Sequence, residues 1–64
     1  MEDVKEKFKK LVEHWIEHTE EHAEEFSRWA EKAESLGLEP EVKEVLTKAS
    51  NLMQEVVKIL KSLK

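Results

Sequence analysis

From Val4 onward, the apolar and small positions of the first half of the chain run Phe8, Leu11, Val12, Trp15, Ile16, Thr19, Ala23, Phe26, Trp29, Ala30 and Ala33. That is the spacing of one face of an unbroken α-helix. Asp3 and Glu6 have the form of a capping box, with Asp3 as N-cap and Glu6 reaching back to it. Ser35-Leu36-Gly37-Leu38 closes the helix: Gly37 suits the left-handed C′ position, and Leu38 can fold back on the last turn. Pro40 then suits the first position of a second helix, with Glu41 and Glu44 at its positive end. Val42, Val45, Ala49, Leu52, Val56, Ile59 and Leu63 alternate three and four apart, a full heptad seam, and Leu46, Met53 and Leu60 widen it on one side. The pattern predicts an all-α chain: one helical-hairpin domain over 1–64, with helix 4–36, turn 37–39 and helix 40–63.

The two predicted helices differ in length, about 48 Å against about 36 Å at ~1.5 Å per residue. The second should therefore cover the first only back to about residue 12. Two helices cannot enclose apolar faces this wide, and an isolated hairpin would expose a patch larger than a soluble monomer tolerates. The minimal solution is a homodimer, two antiparallel hairpins packed as a four-helix bundle, so the first expected partner is a second copy of the chain.

Composition agrees. Charged residues make up 41% of the chain, with one Gly, one Pro and no Cys, which is the make-up of long helices. It would suit a thermophile's ion-pair-rich surface or a designed helix equally. Without cysteine there is neither a disulfide nor a thiolate metal site. The net charge of −4 argues against nucleic acid as a partner. No apolar run approaches a membrane span and no signal-peptide core opens the chain, so no membrane partner and a cytoplasmic location are expected. Lys5, Lys7, Lys9 and Lys10 would meet Lys58, Lys61 and Lys64 at one basic end of the hairpin, most simply a solvated end.

The one stretch with distinctive chemistry lies within Leu11 to Ser27, which carries six Glu and no Lys or Arg. His14, His18 and His22 are the only histidines, four residues apart, and each is followed three residues later by Glu17, Glu21 or Glu25. Positions four apart are neighbours on a helix, and stacked imidazoles among uncompensated carboxylates suit a divalent transition metal. His14 and His22 lie about 12 Å apart along the axis, too far for one ion, but adjacent pairs can share one. His22 and His18 are the leading ligands, with Glu21 or Glu25 as a further ligand or supporting group and His14 farthest round the helix. A two-fold axis near this face would bring the same pair from a second chain and complete a four-coordinate site; the alternative is two separate sites per dimer, each closed by carboxylate and water.

Other motifs fail. His14-x-x-Glu17-His18 and His18-x-x-Glu21-His22 match the pattern of inverted zinc peptidases, but that family needs a distal ligand and a cleft in a much larger fold. Di-iron carboxylate bundles place Glu three residues before His, and here those positions are Leu11, Trp15 and Thr19. There is no nucleophile–base pairing, phosphate loop or Ca²⁺ loop. An enzyme is not expected.

The run His14-Trp15-Ile16-Glu17-His18-x-x-Glu21-His22-Ala23-Glu24-Glu25-Phe26-x-x-Trp29-Ala30 resembles the signature of a small, poorly characterised helical-hairpin domain of prokaryotes. The resemblance covers about residues 11–33 and implies a metal context, in some cases cobalt or nickel handling. Thr19 stands where that pattern has Asn, so no role needing the amide carries over. The leading expectation is a metal-binding hairpin for storage, delivery or sensing, with nickel, cobalt or zinc as its ion. The alternatives are a purely structural oligomerisation module, natural or designed, and a bundle in which His22 of two chains ligates a haem.

Overall fold

Long runs of helix-forming residues, broken once by Gly37 and Pro40, give two helices joined by a tight turn. The computed structural model describes residues 2–63, backbone alone at residue 2. In it α1 spans Glu2–Ser35 and α2 spans Pro40–Lys61. The hairpin measures 54 × 16 × 10 Å along its principal axes. No strand occurs among the described residues, and none of their helices is long and apolar enough to cross a membrane.

Boundaries move slightly from the sequence expectation. Because α1 already includes residue 2, Asp3 stands inside its first turn and is not the N-cap. A carboxylate there still favours the positive helix end. The predicted stop at Gly37 holds: its φ is +74°, Leu38 N–H donates to the Ala33 carbonyl at 3.0 Å, and Gly37 N–H donates to the Glu34 carbonyl at 3.1 Å. These are the two bonds of a Schellman motif. At the start of α2, Pro40 follows the extended Glu39, whose side chain makes no cap. The helix ends at Lys61 instead of running to 63.

The helices meet along a seam narrower than the apolar pattern suggested. On α1 the buried or half-buried positions are Val12, Ile16, Thr19, His22, Ala23, Phe26, Ala30 and Ala33; on α2 they are Val42, Leu46, Ala49, Ser50, Met53, Val57 and Leu60. Val12, Ile16 and Val57 form the core, with Leu60 packed on it. Elsewhere the seam is mostly small residues, and the buried Ser50 hydroxyl donates to the Ala23 carbonyl at 2.8 Å. This is a correction to the heptad reading of α2. The row counted as its main seam points outward, apart from Val42 and Ala49, and the flanking row is the one that packs. Leu52 is 67% and Ile59 68% exposed, whereas Val57 is 5% exposed.

The exposed large hydrophobics therefore form a second row on each helix. On α1 the row is Val4, Phe8, Leu11, Trp15 and Trp29, continued just past the helix end by Leu36; on α2 it is Val45, Leu52, Val56 and Ile59, continued past the helix end by Leu63. Only Leu38 among the exposed large apolar residues lies outside them. At 100° per residue each outer row lies roughly 80–90° round its helix from the inner seam, in the same rotational sense. Because the helices are antiparallel, equal sense places both rows on one side of the hairpin. The opposite side carries the ion pairs that cross between helices, Lys43–Glu34 at 3.1 Å and Lys61–Glu20 at 3.6 Å. The hairpin has a polar face and an apolar face.

Candidate metal centre

His18 and His22 continue the outer row of α1 between Trp15 and Trp29, so the three-and-four spacing that carries the aromatics also carries the imidazoles. One helical turn separates them, and their rings lean together: the centroids are 4.5 Å apart with the planes at 88°. The two Nε2 atoms are 3.1 Å apart. Two nitrogens bound to one ion at ~2.0–2.1 Å in a tetrahedral set stand roughly 3.3–3.4 Å from each other. The pair thus already has the bite of a chelate. The same separation suits a ring-to-ring hydrogen bond, one N–H donating to the other's lone pair.

The remaining candidates divide. Glu25 Oε1 lies 3.8 Å from His22 Nδ1. This is longer than a hydrogen bond but is the side from which a carboxylate orients a ligating imidazole. Glu21 sits about 100° round the helix from His22, and no hydrogen bond or ion pair joins it to a histidine among the described residues. His14 stacks on His18, with centroids 5.7 Å apart and planes at 15°. Stacking offers a face, so His14 supports the His18 ring but does not join its nitrogen. Phe26 stacks on the other side of His22, 6.2 Å away at 29°. The four rings make a ladder in which only the central step brings nitrogens together.

No cluster of three or more His, Asp or Glu side chains suited to a metal occurs among the described residues of one chain. Of the four donors a tetrahedral ion takes, the pair would supply two. The spacing predicted one broad apolar face on α1. The fold divides that face, leaving His22 half-buried at the inner edge of the outer row and His18 exposed beside it. The features not anticipated from the sequence are the Ser50–Ala23 bond and the Glu20–Lys61 pair. Ser50 at a seam position was the available signal for the first.

Residues 8–64 match the family described as Domain of unknown function (DUF8180), and the chain belongs to that family. The match extends through α2, well beyond the histidine-bearing stretch. No curated protein and no solved structure matches the chain.

Proposed function

We propose that this member of the family is a homodimeric helical hairpin that binds a divalent transition metal through His18 and His22. It would act in the cytoplasm in storage, delivery or sensing of the ion. The observation that carries the reading is the convergence of two Nε2 atoms to 3.1 Å on the one face of the hairpin that is otherwise apolar. A hydrogen-bonded pair of neutral rings would satisfy the contact, but it would leave other imidazole nitrogens to be desolvated once the face is covered. Imidazole donors suit nickel, cobalt and zinc, and the resemblance stated from the sequence adds to the metal reading without identifying an ion. Haem fits less well, because His22 is engaged with His18 instead of standing alone toward an apolar slot.

Self-association draws on the apolar face. The accessible surface is 5491 Å² for 7.6 kDa, where a compact monomer of that mass exposes roughly 4,300 Å². The excess, about 1,200 Å², exceeds the ~800 Å² that one partner buries in a standard interface.

Tryptophan fluorescence tests the metal reading, since Trp15 and Trp29 flank the pair on the outer row. Ni²⁺, Co²⁺ or Cu²⁺ should quench it stoichiometrically. His18→Ala and His22→Ala should each abolish saturable quenching, and His14→Ala should only weaken it. Equal loss from all three would mean diffuse surface chelation. Loss from none, with helicity intact, would leave the structural module.

A further inference from the structure

The outer row of α1 runs from Val4 to Leu36, and its midpoint is Glu20, between His18 and His22. The outer row of α2 runs from Val45 to Leu63, and its midpoint is Gln54. The two midpoints lie at one level of the hairpin. Glu20 and Gln54 line the same cleft, and the Ser50–Ala23 bond at 2.8 Å fixes that alignment. Both apolar rows are therefore centred on the histidine pair, although the helices differ in length.

A two-fold axis perpendicular to the helices at the level of Glu20 lays each outer row on its own copy. On α2 such an axis sets Leu52 against Val56 and Val45 against Leu63 of the second copy. On α1 it sets Leu11 against Trp29, Phe8 against Lys32, Trp15 against Glu25, and His18 against His22. We infer that two copies dock antiparallel about this axis, so that the His18–His22 pairs of both form one shared four-imidazole metal site at the centre of the dimer. This inference rests on the metal reading above and names what completes the site, a second copy of the same chain.

The competing arrangement has its axis parallel to the helices and lays α1 of one copy on α2 of the other. The imidazoles would then face Leu52 and Val56. Polar nitrogens pressed against an aliphatic row without partners are unfavourable, whereas facing histidines can share an ion. Four imidazole nitrogens also satisfy the tetrahedral preference that one chain, with two, does not meet.

The chain has no cysteine, so Glu39→Cys in the exposed turn gives a unique spin-label site. In the proposed dimer the turns lie at opposite ends. Fifteen residues separate position 39 from Gln54, so the interchain distance should be about 45–50 Å. Zn²⁺ titration of the unlabelled protein should saturate at one ion per two chains. A distance under about 25 Å, with turns at the same end, or no interchain distance at all, would overturn the docking. Zn²⁺ binding in either case would leave the metal reading standing. The long distance without Zn²⁺ binding would overturn the shared site and the metal reading together, while two ions per dimer would overturn the shared site alone. Glu44→Cys, labelled on the first turns of α2, repeats the measurement should the turn variant misfold, with about 30 Å expected.

Discussion

The inner seam and the outer rows use the same spacing and opposite kinds of side chain. Across the seam, Ala23, Ala30, Ala33 and Ser50 are 1–4% exposed, and small residues there let the helices approach closely while contributing little apolar area each. The outer rows hold both tryptophans, Phe8, Leu52 and Ile59, all exposed. Fully burying one large apolar side chain is worth about 1.5–3 kcal/mol, so the half-exposed outer rows hold hydrophobic free energy that the hairpin alone does not collect. The seam sets the geometry of the hairpin, and in the proposed dimer the outer rows meet the second copy. His18 and His22 continue that row, so the proposal ties their chemistry to assembly.

The largest expected effect comes from spoiling the outer row. Leu52→Lys or Val56→Lys puts an unpaired charge into the proposed interface at a cost of several kcal/mol. Sedimentation should show loss of the dimer, with helicity falling alongside it. If the mutants sediment and fold as wild type, the outer row is not an interface. On the inner side, Ile16→Ala opens the core beside Val12 and Val57, and should lower stability in urea by about 2–5 kcal/mol. It leaves the docking face intact, so its dimer should persist at high concentration.

Protonation attacks the polar centre of the outer row without touching its apolar residues. Metal ligation needs neutral imidazole, so acid competes with the ion for the ring nitrogens. Metal affinity should fall tenfold or more between pH ~8 and pH ~6. Flat affinity over that interval would assign binding to carboxylates.

Gly37→Ala probes the turn on which both faces depend. A Cβ there meets nothing within 4 Å, so the cost is that of the +74° φ alone, about 1–2 kcal/mol, readable as a drop in Tm. The smallest effect belongs to the polar face. Lys61→Ala removes a half-exposed pair with Glu20 and should change stability by no more than about 1 kcal/mol, less at high salt.

Much of this was legible in the sequence. Gly37 and Pro40 fixed the turn because each has one conformational use there, and unbroken periodicity fixed the helices. What the pattern could not decide was which part of a wide apolar face turns inward. Hydrophobicity alone favoured Leu52 and Ile59 for the α2 seam. Close approach instead selected the row bearing Ser50 and Val57, because small residues on both helices interlock there. The same selection leaves His22 at the rim of the outer row. Spacing identified His18 and His22 as neighbours, but the turn of the rings that brings Nε2 to Nε2, and stacks His14 away, depends on side-chain packing that spacing does not encode.

Native mass spectrometry of the metal-loaded protein tests the central claim most directly, because it reads subunit count and bound ion together. The account predicts two chains carrying one divalent ion, with the ion lost and the dimer weakened in His18→Ala and His22→Ala. A folded monomer, or a dimer that stays metal-free in excess Zn²⁺ or Ni²⁺, would contradict it.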